Sequence, residues 1–125
     1  MGQRVLVIDD QELLADIITE AFRDEGYEAE VAYGGVAGLR LFERTHHSLV
    51  VADLVMPDVD GLDIIRGIRR IDRVSKVIAI SGGGALESQL LLNAARAIGA
   101  DAVMQKPFLP SELVTLAARL VPPEA

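Results

Sequence analysis

Short apolar runs that each stop at a polar residue constrain this chain more than any other feature. Val5-Leu6-Val7-Ile8 stops at Asp9 and Asp10, and Leu49-Val50-Val51-Ala52 stops at Asp53. Val77-Ile78-Ala79-Ile80 stops at Ser81, and Ala102-Val103-Met104-Gln105 is followed by Lys106. Between the runs lie stretches of helical spacing. A near-continuous apolar run is what a strand needs when helices cover both its faces. Parallel strands would then bring all four stops to one edge of one sheet, the edge where open α/β folds place their chemistry. Three carboxylates, a hydroxyl and a lysine converge there, a grouping suited to a divalent cation and a phosphoryl group.

Strand and helix patterns alternate five times. Strands are expected at 4–8, 28–32, 49–53, 76–80 and 102–105, and helices at 11–25, 36–44, 62–71, 86–98 and 111–120. In the first helix Leu13, Leu14, Ile17, Ile18, Ala21 and Phe22 are expected on one face. Gly26 and Gly99 follow helices as stops, and Pro110 precedes the last one. A length of 125 residues suits a single domain, 1–125, with no room for an output domain after the last helix.

Composition narrows the function. Nineteen acids face twelve bases, for a net charge of −7, and no basic cluster exceeds Arg69-Arg70. A nucleic-acid partner needs a basic face, so none is expected. No apolar stretch approaches the roughly 20 residues of a membrane span, so no membrane role and a cytoplasmic location are expected. Cysteine is absent, which rules out disulfides and thiolate metal sites. Gly2 is followed by Leu6 where a myristoylation signal wants Ser or Thr.

Each polar stop has two readings. Asp9 and Asp10 can hold Mg²⁺ or cap the first helix. Asp53 can accept a phosphoryl group as a mixed anhydride, or serve as a metal ligand or cap. Ser81 can donate to a phosphoryl oxygen with Gly82 leaving room for it, or belong to a plain turn. The following Gly82-Gly83-Gly84 lacks the G-x-x-x-x-G-K-[ST] of a nucleotide loop. Lys106 can pair with Asp53 at rest and with phosphoryl oxygens afterwards, or lie solvated on the surface. Pro107 fixes an extended backbone before it and admits a cis bond. His46 and His47 read as polar loop residues.

Four segments together resemble the receiver domain of two-component response regulators, the family of CheY. They are V-L-V-I-D-D at 5–10, D-L-V-M-P-D-V-D-G-L at 53–62, I-A-I-S-G at 78–82 and G-A-D-A-V-M-Q-K-P-F at 99–108. They follow the family's order and spacing over nearly the whole chain. The flavodoxin-like strand order 2-1-3-4-5, doubly wound with five helices, is borrowed from such folds. It gives the polar second strand an outer place.

The resemblance implies a stand-alone receiver, not an enzyme in the usual sense. Asp53 would accept phosphate from a histidine kinase or phosphotransfer protein. Asp10, Asp53 and the Val55 carbonyl would ligate Mg²⁺, with Mn²⁺ a possible substitute and Asp9 acting through a water. Ser81 and Lys106 would contact the phosphoryl group. The output would be a conformational switch or onward transfer in a phosphorelay.

Three places depart from or extend the pattern. The aromatic residue often found three places before the lysine is Val103 here, so the usual switch is altered, weaker, or carried by the glycine loop. Leu90-Leu91-Leu92 spans too wide an arc for one buried stripe, so at least one leucine is expected outside. It suggests a target or homodimer contact on the face of the fourth helix, last strand and last helix. Val55 and Gly83 lack a group to position an attacking water, so slow loss of the acyl phosphate is expected.

Two rival readings are weaker. An aspartyl phosphatase typically carries D-x-D, but Val55 stands two places after Asp53. A flavodoxin-like nucleotide module lacks G-x-G-x-x-G after the first strand.

Overall fold

A computed structural model of the chain describes residues 2–82 and 85–123. Its elements are β1 (Arg4–Ile8), α1 (Glu12–Asp24), β2 (Glu28–Ala32), α2 (Gly35–Arg44) and β3 (Leu49–Asp53). They continue with α3 (Gly61–Ile71), β4 (Lys76–Ser81), α4 (Ala85–Ile98), β5 (Ala102–Gln105) and α5 (Pro110–Leu120). The five strands form one parallel sheet in the order β2-β1-β3-β4-β5, as expected. Most helix ends lie within one residue of their expected places. β4 runs one residue further than expected, so Ser81 closes the strand rather than following it.

Strand alternation builds two cores. Val5, Val7, Leu49, Val51, Ile78 and Ile80 face one way and pack with residues of α1 and α5. Leu6, Ile8, Val50, Ala52, Val77 and Ala79 face the other way and pack with residues of α2, α3 and α4. β3 is buried along its whole length, which explains its lack of polar residues before Asp53.

Two expectations need correction. In α1 the buried residues are Ala15, Ile18, Thr19 and Phe22, while Leu13 and Ile17 are 77% and 46% exposed. The six apolar residues span about half the helix circumference, more than docking on a sheet can cover. The helix settles on the side where Phe22 meets Tyr27 edge-on. Thr19 is tolerated inside because its hydroxyl donates to the Ala15 carbonyl at 2.7 Å.

His47 is likewise not a surface residue. It is fully buried and stacked on Phe42, with ring centroids 5.9 Å apart, while His46 is exposed as expected. Burial pushes the His47 pKa down, with Glu30 at 3.3 Å from Nε2 pulling the other way. The ring acts as an aromatic filler at the start of β3.

Far from the polar edge, Arg69 of α3 ties three segments together. Its guanidinium donates to the Gly99 carbonyl at 3.0 and 2.7 Å, to Asp101 at 2.7 Å, and to the Ser75 carbonyl. These bonds satisfy carbonyls at the end of α4 and before β4.

Candidate phosphoryl-acceptor site

In-register pairing brings the strand ends together. Ile8 lies beside Ala52, Asp53 beside Ile80, and Ser81 beside Gln105. Carboxylate oxygens of Asp9, Asp10 and Asp53 all lie within 4.8 Å of one another. Asp9 and Asp53 are buried, at 2% and 3% exposed, while Asp10 opens toward solvent. Lys106 closes the group: its Nζ lies 2.9 Å from Asp53 Oδ2 and 3.5 Å from Asp9 Oδ2. Its stem runs against Gly82, where an added Cβ would sit 3.2 Å from Lys106 Cδ. The Lys106–Pro107 bond is cis. The cleft above is lined by Asp10, Gln11, Asp53, Val55, Gly82 and Pro107, together with the lysine.

The backbone aims both buried acids. Val55 N–H donates to Asp53 Oδ1 at 2.9 Å, and Gln11 N–H donates to Asp9 Oδ1 at 2.9 Å. The segment after Asp53 is folded back by a bridge between Val55 and Asp60. Asp60 caps α3 through Leu62 N–H at 2.9 Å, and Asp58 caps α2 through Gly35 and Val36 N–H at 3.1 Å each.

The electrostatics are strained at rest. Burial raises the Asp9 pKa above its ordinary value, and the Asp53 charge adds to this; the Gln11 N–H and Lys106 act against it. For Lys106, burial opposes the ammonium, but the hydrogen bond and charge of Asp53, reinforced by Asp9, more than offset it and raise its pKa. The lysine is therefore charged throughout the neutral range.

The raised Asp9 value fixes a sign. The folded state holds the Asp9 proton more tightly than the unfolded state does. Ionised Asp9 therefore costs stability. The cost is absent below the ordinary value of 3.8, grows in the window above it, and is full once the raised value is passed. Asp9→Asn is expected to melt higher than wild type at pH 7 in EDTA, with the gap closing as pH falls toward 4. Circular-dichroism melts across that range check it, and a gap that does not change with pH would contradict it.

Not every expected residue joins the cluster. Ser81 is fully buried, and among the described residues its hydroxyl has only a long contact, to the Gly82 carbonyl at 3.4 Å. By strand alternation Ser81 falls in step with Val77 and Ala79, and Asp53 with Leu49 and Val51. Gly83 and Gly84 lie outside the described residues. Val103 is half-buried against the core that holds Leu92 and Ala95. Leu90 is 62% exposed and Leu92 only 3%, as the arc argument required; Leu86, one turn earlier, is exposed too. Gln11 was missed by sequence reasoning. Its Oε1 accepts from Lys106 Nζ at 2.9 Å. Its place directly after the Asp9-Asp10 stop was the available signal.

A family model for the response regulator receiver domain matches residues 5–118. The transcriptional regulatory protein TrcR of Mycobacterium tuberculosis is 32% identical over 111 residues, which cover 89% of this chain and 42% of that protein. This chain thus spans about half the length, or less, of such curated relatives. A CheY-like receiver domain protein from Methanospirillum hungatei superposes with a TM-score of 0.86 at 27% identity, covering 95% of this chain and 93% of that one. The Francisella response regulator 1452 receiver domain gives 0.83 at 30% identity, covering 94% and 95%. The chain belongs to the response regulator receiver domain family, and it carries that family's acidic cluster at the edge where its chemistry is expected. Among the described residues, no helix is long and apolar enough to cross a membrane.

The donor set fits a hard cation. Three carboxylates within reach of one another, one of them open to solvent, suit Mg²⁺, which binds oxygen and keeps several waters.

Proposed function

We propose that the chain accepts a phosphoryl group on Asp53 from a phosphohistidine and relays the change to a partner. The observation that carries this is the pairing of a buried carboxylate with Lys106 at 2.9 Å beside two further acids. Asp10, Asp53 and the Val55 carbonyl would hold Mg²⁺ or Mn²⁺, with Asp9 acting through a water. Bound there, the cation supplies neutralisation of phosphoryl charge. Val55 N–H fixes one carboxylate oxygen, which leaves the one facing Lys106 to attack. An Asp53 oxygen–phosphorus bond forms, the phosphorus–nitrogen bond breaks, and the imidazole leaves with its electron pair and takes up a proton. Phosphoryl transfer asks for alignment and charge neutralisation, which these groups offer.

After transfer Lys106 turns to a phosphoryl oxygen. Ser81 supplies a hydroxyl once the end of β4 rearranges, since its present contact is long. Such a rearrangement is a known switching mode. The donor is a histidine kinase or a histidine phosphotransfer protein, in the cytoplasm. The exposed Leu86 and Leu90 support a target or homodimer contact on the α4–β5–α5 face.

Acetyl phosphate with Mg²⁺ tests the reading by intact mass. One phosphoryl group is expected on the wild type, with none in EDTA and none on Asp53→Asn. Undiminished label on Asp53→Asn would overturn it.

A further inference from the structure

Gln11 does not spend its side chain where its position suggests. It is the N-cap of α1, with extended backbone angles of φ −80° and ψ 92°. Polar residues at that position commonly turn back to accept from the first helical turn. Gln11 makes no such side-chain bond. Its Oε1 lies 2.9 Å from Lys106 Nζ, as close as Asp53 Oδ2 and closer than Asp9 Oδ2 at 3.5 Å. An ammonium has three N–H donors and no acceptor, so the carboxamide must present its oxygen to the lysine. Among the described residues these three oxygens are the acceptors within 3.5 Å of the ammonium, the two at 2.9 Å being the short ones. The Gln11 N–H bond to Asp9 Oδ1 pins the backbone of the tether to the acidic cluster itself.

We propose that Gln11 is a positioning residue that holds the Lys106 ammonium at the mouth of the cleft during phosphoryl transfer. This rests on the acceptor reading above. The two charged partners of Lys106 at rest are the groups that the cation and the phosphoryl group claim. Once they are claimed, a flexible four-carbon stem loses both anchors. Gln11 lines the cleft but is not one of the three clustered carboxylates. As a neutral acceptor it keeps hold of the ammonium without adding a charge that would repel phosphate or compete for the cation. Gly82 steers the stem below, and Gln11 steers the tip.

The test is a double-mutant cycle on the full chain with acetyl phosphate and Mg²⁺. Gln11→Met keeps the length and helix preference of the side chain but removes the strong acceptor. It is compared with wild type, Lys106→Met and the double variant. We expect Gln11→Met to melt with the wild type and to label Asp53 about fivefold more slowly at saturating acetyl phosphate, the effect of roughly one hydrogen bond. In the Lys106→Met background the same change is expected to have no further effect, because there is no ammonium left to hold. Wild-type labelling rates in Gln11→Met would overturn the proposal. So would an equal loss in both backgrounds, which would place Gln11's effect elsewhere. A wild type that takes no label would overturn the acceptor reading and this proposal together, so the two failures are told apart by the control.

Discussion

Gly61→Ala is expected to destabilise the protein by roughly 3 kcal/mol or more, the upper range for overpacking, with a fall of about 10 °C in melting temperature. A Cβ built on Gly61 overlaps the carbonyl oxygen and Cα of Leu54. These are backbone atoms of the residue directly after Asp53, and Leu54 N–H is itself bonded to the Ile80 carbonyl at 2.8 Å. Neither side can yield without pulling β3 from β4 or opening the Val55–Asp60 bridge. The same shift disturbs the Val55 N–H that aims Asp53, so phosphoryl uptake falls with stability. Gly67→Ala is the internal control on the same helix. Its added Cβ meets the tip of Leu39 at 2.9 Å, which can rotate away. Alanine's helix preference of about 1 kcal/mol then leaves that change close to neutral. Equal melting temperatures for the two variants would refute the argument.

Lys106→Met is expected to lower two observables and raise a third. Without metal, two buried carboxylates lose their counter-charge, and stability falls by about 2 kcal/mol, below the fully buried range because the lysine is 19% exposed. Mg²⁺ affinity rises, because the cation no longer meets a competing ammonium between Asp9 and Asp53. Labelling of Asp53 by acetyl phosphate falls by about 100-fold, the size of losing one donor to a developing charge in a water-poor site. Calorimetric Mg²⁺ titration and labelling rates on the same preparation check the split. Weaker Mg²⁺ binding together with lost labelling would mean only that the site had fallen apart. Unchanged labelling would remove Lys106 from the chemistry.

The fold was largely legible because its signals are local. Apolar runs that end in polar residues mark both the strands and the edge where their ends meet, and parallel register then brings Asp9, Asp10, Asp53 and Lys106 together. The order of the strands is not written in those runs and was borrowed from known folds. What stayed hidden depends on docking. The rotation of α1, which leaves Leu13 and Ile17 outside, is set by what α1 packs against, and periodicity alone offers several equivalent faces. His47 is hidden because its neighbour Phe42 arrives from α2. Ser81 was placed at the right edge, but β4 runs through it and buries it, with its hydroxyl 3.4 Å from the Gly82 carbonyl. Gln11 carries no signature beyond its neighbours. Its contact with Lys106 joins residues 95 apart in the sequence.

The acceptor oxygen itself is the most direct thing to measure. An aspartyl phosphate is a mixed anhydride, which borohydride reduces to an alcohol, so the modified aspartate becomes homoserine. After brief treatment with acetyl phosphate and Mg²⁺, then borohydride, peptide mass mapping is expected to find homoserine at position 53 and aspartate unchanged at positions 9 and 10. Homoserine at another position, or stable phosphate on a serine or histidine with Asp53 intact, would contradict the account.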